Sequence, residues 1–402
     1  MIDDYTKLIF INKEVLQVKI LFITHYSSLY GANLSLLEMM KKLRKNYDIE
    51  PIVLMSTGGD LVQELEKANI KYFIHKWYKW VHKKDSLELK HLIKDGLNRI
   101  NYYSIYRKLN RLEFDLIHSN SSVINIGGYL SQKFNKPHIW HIREYGEEDY
   151  NYIYNRGIEK AGNYLNKYSD KIIAISNSIK RKYSDYIPKK NIDVVYNGVS
   201  FEKYNYKRDF SDIDDNRIIK FIFVGLISEN KNQFEALKAA KVLKNEFGIN
   251  NFKIYFAGTG KKEYINQLKM FSNKRGLEDN IDFLGYVSNM KNLREKTDIG
   301  LICSKKEAFG RVTVESMLSQ MPVIGTKSGG TMEIVDHGET GCLYELGNHK
   351  QLAKYMKKII NNKSLIEKFS KKGYKKAKNN FTAEINARKI YSKYLEVLEG
   401  RK

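Results

Sequence analysis

The stretch CSKKEAFGRVTVESMLSQMPVIGTKSGGTMEIVDHGETG, residues 303–341, decides the reading of this chain. Glu307 falls on a turn after the apolar run 299–303, Phe309 and Gly310 follow, and Glu315 is expected in the first turn of a helix running to about Ser319. Two carboxylates eight positions apart, with a glycine turn and a helix start between them, can grip one elongated ligand at two points. The helix start would offer free backbone N–H groups and partial positive charge to a phosphate lying between them. A first-turn Glu also offsets the helix dipole by about 0.3–1 kcal/mol wherever it occurs, so the surrounding pattern carries the argument. Residues 321–326 read as a buried strand, and Ser328-Gly329-Gly330 as a turn whose lack of side chains lets backbone approach a ligand.

With Glu333 and Gly338-Glu339-Thr340-Gly341 just beyond, this signature resembles that of the retaining GT-B glycosyltransferases of family 4, group 1, which include bacterial mannosyl- and glucosyltransferases and sucrose synthases. The resemblance implies an α/β fold of two Rossmann-like domains facing a central cleft. It also implies a nucleoside-diphosphate sugar as donor, a UDP-sugar or a GDP-sugar, with neither a metal nor another cofactor.

Composition sets the outer bounds. A chain of 402 residues suits two domains, and 42 % hydrophobic residues suffice for real cores. No apolar run approaches the roughly 18 residues that span a bilayer, and the start MIDDYTKLIFINK is acidic before it is apolar, unlike a secretory signal. A cytoplasmic protein is expected. Cys303 and Cys342 form no metal-ligand spacing and read as small buried apolar residues in a reducing compartment.

The net charge of +23 raises nucleic acid as a partner. The lysines are spread along the chain and no nucleic-acid motif accompanies them, so none is expected. An anionic membrane surface fits better. Residues 71–112 carry eleven Lys/Arg against three Asp/Glu, with Trp77 and Trp80 beside the lysines. Lysines near anionic lipid contribute about 1 kcal/mol each, and Trp favours the interface. A solvated basic helix is the plainer alternative.

Apolar runs at 18–24, 52–55, 72–74, 116–118, 138–142, 172–175 and 194–196, mostly separated by helical stretches, argue a parallel sheet with helices on both faces. The polar segment 204–217 interrupts them, and a second series follows at 218–224, 252–257, 281–284, 299–303 and 323–326. The expected division is an acceptor domain at 1–205, a donor domain at 206–380, and a terminal helix at 381–402 that, by the resemblance, returns to the first domain.

Ligands of open parallel sheets bind outside the carboxyl ends of the strands. After the first strand stand His25, Tyr30 and Gly31, where the resemblance implies a glycine-rich loop near donor and acceptor; its second glycine is missing. The run His138-Ile139-Trp140-His141-Ile142-Arg143-Glu144 ends in polar groups, and His141 best matches the family histidine that lies against the transferring sugar. A lone histidine is also an ordinary structural residue. His118, Asn120 and Arg143 are expected to border the same cleft.

In the second series Gly225 is followed by Leu226 where the family places an Arg, while Lys231 matches its phosphate-binding Lys. One arm of the clamp is absent, which leaves more of the charge to Lys231, the helix starts and Arg311; Arg311 is alternatively a surface residue. Tyr286 belongs to the segment that cradles the nucleobase in relatives. Ala257-Gly258-Thr259-Gly260 holds half of a dinucleotide fingerprint and reads as a strand-end turn, and Asp212-Ile213-Asp214 lies in the linker, where no metal is expected.

The implied roles follow. Lys231, Arg311 and the amides of Phe309, Gly310, Arg311 and Val312 would receive the leaving diphosphate. Glu307 would hold the sugar hydroxyls and Glu315 the ribose, while His141 would position the sugar. The acceptor is expected to be a glycan, lipid-linked, in bacterial surface polysaccharide assembly. A sugar-nucleotide epimerase or a non-catalytic binding protein of the same fold is the alternative.

Overall fold

Burial along β1 (Val18–Thr24) is continuous rather than alternating, as a parallel strand covered on both faces requires. The computed structural model describes residues 17–84, 88–211 and 217–400; the acidic start and the Asp212-Ile213-Asp214 triplet lie outside them. The next strands are β2 (Ile49–Met55), β3 (Lys71–Ile74), β4 (Val81–Lys83), β5 (Leu116–Ser119), β6 (His138–Ile142), β7 (Tyr152–Tyr154), β8 (Lys171–Ala174) and β9 (Ile192–Val194). Seven of them form a parallel sheet ordered β3-β2-β1-β5-β6-β8-β9, while β4 and β7 pair antiparallel beside it.

The second sheet comprises β10 (Ile219–Val224), β11 (Phe252–Ala257), β12 (Ile281–Gly285), β13 (Ile299–Ile302), β14 (Val323–Thr326) and β15 (Gly341–Tyr344). Its order is β12-β11-β10-β13-β14-β15, again parallel. Strand order reverses at β1 in one sheet and at β10 in the other. Such switch points open a crevice at the carboxyl ends of the strands, and there stand the candidate loops after Thr24, Val224 and Ile302.

One apolar cluster joins the halves: Trp140, Ile142 and Tyr145 beside the first sheet pack with Phe309, Val314 and Met317 beside the second. The chain crosses between halves twice, and the crossings touch, since Val199 N–H donates to Phe381 O and Ala383 N–H to Val199 O, each at 2.9 Å. The terminal helix Ala383–Glu399 then lies on the helix Gly31–Tyr47, with Tyr391 stacked on Tyr47 at 4.4 Å and Tyr394 Oη 2.8 Å from His118 Nδ1.

Two readings need correction. Trp77 is only 5 % exposed, and Trp80 packs edge-on against Tyr154 and Tyr164. Neither indole is an interfacial anchor, because the helix Glu88–Leu109 and the β4/β7 pair have apolar faces that need covering. That helix instead exposes Ile93, Leu97, Ile100 and Tyr103. The strand β15 was not anticipated: its four residues begin with glycine and follow directly on a turn. Cys303 and Cys342 are buried and free, and burial pushes their thiols up to about 12 and about 11. Among the described residues no helix is long and apolar enough to cross a membrane.

Candidate functional site

The loop after β13 owes its shape to two glycines in another loop. A Cβ on Gly329 would stand 2.3 Å from Glu307 O, and one on Gly330 2.1 Å from Phe309 O. Gly330 N–H donates to Glu307 O at 2.7 Å. What the glycine pair admits is therefore the backbone of residues 307–309, where a ligand had been expected to approach. Thus fixed, Glu307 directs Oε1 to Lys231 Nζ at 2.5 Å and accepts Ser304 Oγ–H at 2.6 Å. Both members of the ion pair keep some solvent access, 17 % for Glu307 and 31 % for Lys231, so the pair can be reached by a ligand.

Gly310, at φ +101°, caps the helix Arg311–Leu318, and neither a side-chain cap nor a first-turn acid occupies that end. Its opening amides are left for a ligand. The helix Gly31–Tyr47 in the other half also starts without a side-chain cap or a first-turn acid; its Tyr30 is 71 % exposed, and a Cβ on Gly31 would meet open space. Arg311 Nη1 donates to Ser35 Oγ at 3.2 Å, bringing the two helices together.

Glu315 lies in the second turn rather than the first, so the dipole argument does not apply to it. Its carboxylate accepts Arg294 Nη2–H and Arg311 Nε–H, both at 2.9 Å. Arg294 is fully buried. Arg311 is not a surface residue: its side chain is 9 % exposed and meets Glu38 at 2.8 Å and Gly198 O at 3.2 Å. Burial works against the Arg311 charge, but Glu38 and Glu315 outweigh it and hold its pKa above the usual value. Arg311 thus joins the halves, and Glu38 and Glu315 balance its charge.

On the first sheet, His141 is fully buried, its Nδ1 3.3 Å from both His118 Nε2 and Arg143 Nη2. Burial, then Arg143, lowers its pKa well below the ordinary value, so it is neutral. Among the described residues His141 Nε2 has no hydrogen-bond partner. Arg143 bonds Asn120 and, at 2.5 Å, Asn197 Oδ1. Glu144 accepts from Ser121 Oγ, Ser122 N and Ser122 Oγ at 2.9, 2.5 and 2.6 Å. His25 is half-buried, and burial followed by Lys79 lowers its pKa well below the usual value.

Sequence reasoning did not find Glu38, Arg294 or Asp149. Asp149 holds the loop after β6 through the amides of Tyr145 and Gly146 at 2.9 and 2.8 Å, and its own carbonyl accepts Asn230 Nδ2–H, next to Lys231, at 2.7 Å. Nothing local marks these three, since their partners are distant in the chain or on the main chain. Glu333, read only as part of the signature, accepts the amides of Asn177 and Ser178 at 2.9 and 2.8 Å. An acid of one half thus closes a helix start of the other. Gly225 (φ +133°), Leu226 (57 % exposed) and Tyr286 (80 % exposed) stand at the carboxyl ends of β10 and β12. Among the described residues no cluster of His, Cys, Asp and Glu could hold a metal.

Two family descriptions match the chain, Glycosyltransferase Family 4 over residues 30–203 and Glycosyl transferases group 1 over residues 207–376. An uncharacterized glycosyltransferase of Methanocaldococcus jannaschii is 30 % identical over 304 residues, covering 73 % of this chain and 79 % of that protein. The capsular polysaccharide biosynthesis glycosyltransferase CapH of Staphylococcus aureus is 26 % identical over 360 residues, covering 87 % and 92 %. N-acetyl-α-D-glucosaminyl L-malate synthase of Bacillus anthracis is 27 % identical over 240 residues, covering 58 % of this chain and 61 % of that relative's length. Among solved structures, Anabaena HepE in complex with UDP superposes with a TM-score of 0.79 at 22 % identity, covering 94 % of this chain and all of that one.

Proposed function

This chain belongs to the group 1, family 4 glycosyltransferases, a retaining and metal-independent family of hexosyltransferases with the GT-B fold, and we propose that it moves a sugar from a nucleoside diphosphate to a glycan acceptor in surface polysaccharide assembly. The observation that carries the reading is the Lys231–Glu307 pair just ahead of the uncapped helix start at Arg311, whose side chain reaches the second uncapped helix, Gly31–Tyr47, through Ser35.

Breaking the bond between the anomeric carbon and the diphosphate builds positive charge on carbon and negative charge on the departing oxygen. Groups fixed in advance for those charges lower the barrier, about tenfold in rate for each 1.4 kcal/mol. Lys231 and the amides of residues 309–312 would receive the diphosphate. Glu307, released from Lys231 as the donor enters, would hold the sugar hydroxyls. Glu315, with Arg294 behind it, would face the ribose, and Tyr286 the base. Buried His141 would act through Arg143, fixing the guanidinium that borders the acceptor side. The acceptor hydroxyl would attack from the leaving-group face, with retention.

A UDP-sugar is the favoured donor because the HepE structures hold UDP and UDP-glucose. A lipid-linked acceptor on an anionic membrane is favoured by the exposed stripe Ile93, Leu97, Ile100 and Tyr103 on the helix Glu88–Leu109, with exposed Arg107, Lys108 and Arg111 near its end. The test is a thermal-shift screen with UDP- and GDP-sugars followed by donor turnover. A selective shift with turnover that Glu307→Ala abolishes supports transfer; full turnover by Glu307→Ala overturns it. The exposed Leu226, where a phosphate-binding cation is expected, favours a second reading as a binding protein or epimerase. Binding without transfer to any acceptor would select it.

A further inference from the structure

A pocket of about 330 Å³ lies on the first half, between the helix Glu88–Leu109 and the helix Ile158–Lys167, away from the Lys231–Glu307 pair. Its wall is aromatic: Trp80 and Tyr164, both half-buried with ring centroids 5.1 Å apart, line it with the more deeply buried Tyr102. Its rim is cationic. Arg99, Arg156 and Lys160 are exposed, and among the described residues none of them makes an ion pair. The lining carboxylate, Asp95, is engaged by Asn155 Nδ2–H at 3.0 Å.

From these features we infer that the pocket binds an acidic saccharide, one carrying a carboxylate or a phosphate ester, as an outlying part of the acceptor. This rests on the acceptor reading above. Partly exposed rings offer apolar area to the C–H face of a sugar, which gains by leaving water. Unpaired guanidinium groups suit carboxylate and phosphate oxygens equally, through paired N–H donors. A neutral glycan would leave the three cationic groups of the rim without an anionic partner.

The pocket shares a wall with the proposed site. Segment 120–125 follows β5, and on one side Asn120 accepts from Arg143 while Ser121 and Ser122 bond Glu144. On the other side Ser122 O accepts Trp80 Nε1–H at 2.7 Å, and Asn125 Oδ1 accepts Tyr102 Oη–H at 2.6 Å. A glycan seated against Trp80 therefore bears on the loop that fixes Arg143. The chain of contacts runs through one short turn.

Tryptophan fluorescence of the full chain reports occupancy, since Trp80 lines the pocket and Trp140 stacks on it at 6.4 Å. The probes are D-glucuronate, glucose 1-phosphate, inorganic phosphate and methyl α-glucoside. Saturable quenching by an acidic sugar, weakened about tenfold in Arg156→Ala/Lys160→Ala with the UDP-induced thermal shift unchanged, supports the proposal. Preference for glucuronate assigns a carboxylate, and preference for glucose 1-phosphate a phosphate ester. Equal response to methyl α-glucoside, inorganic phosphate acting as well as the acidic sugars, or an unaffected double variant would overturn it. Absence of a thermal shift with every UDP- and GDP-sugar in the wild type would instead sink the transferase reading and leave this titration standing.

Discussion

Arg311 and Glu38 meet across the junction of the two halves, Nη2 donating to Oε1 at 2.8 Å and Nη1 standing 2.8 Å from Oε2, with both side chains nearly buried. Glu315 shares the guanidinium from the other side. Replacing one member of a buried pair leaves an uncompensated charge, which typically costs 3–5 kcal/mol.

Glu38→Gln is therefore expected to destabilise the protein by about 2 kcal/mol, less than the full cost because Glu315 still neutralises Arg311. Urea unfolding measures it. A second substitution, Arg311→Met, should restore much of the loss, and a double variant no better than Glu38→Gln alone would remove the pair from the account.

Gly330→Ala tests how the Glu307 loop is held. The added methyl would meet Phe309 O at 2.1 Å and Phe309 Cα at 2.6 Å, backbone atoms that cannot swing aside. Overpacking of this kind costs about 1–3 kcal/mol, and the displaced loop carries Glu307 away from Lys231. Donor turnover should fall by at least about a hundredfold, equivalent to about 2.7 kcal/mol in the barrier. Steady-state kinetics with wild-type turnover would contradict the tight approach.

Asp149 gives the protein a pH dependence near neutrality. Burial raises its pKa to about 7, against the pull of the Tyr145 and Gly146 amides and with a further push from Glu144. Because the folded value lies above the unfolded one, the folded chain holds the extra proton between them, and stability falls as pH rises toward and through 7. From pH 6 to pH 8 the loss is about 1 kcal/mol. Unfolding titrations at the two values measure it, and Asp149→Asn should remove this part of the slope.

Ile93→Glu/Ile100→Glu addresses the membrane. Both side chains are exposed, so folding stability should change by no more than about 0.5 kcal/mol. Co-sedimentation with vesicles rich in phosphatidylglycerol should drop about tenfold, from lost apolar insertion and added like charge. Equal sedimentation would move the contact surface elsewhere.

The two sheets were legible because strands such as β1, β6, β11 and β14 are short, mostly apolar runs, interrupted by no more than one or two polar residues and bounded by polar turns. The short β4 and β7 gave no such signal, being three residues each and dependent on mutual pairing. Glu307 and Lys231 stood out because their neighbours form a local signature. The Glu38 partner of Arg311 did not, since 273 positions separate them and only the folded chain brings them together. Trp77 and Trp80 misled for a related reason: composition records that aromatic and basic residues are adjacent, while the facing direction of each side chain is set by what packs above it.

The paired crossings at Val199 and Ala383 restrict how the molecule can breathe. Two covalent threads bonded side by side act as one spine, so any opening of the halves would have to turn about that line rather than slide along it. On the reading proposed above, admission of a donor and escape of the spent nucleotide would then be the same rotation run in opposite senses.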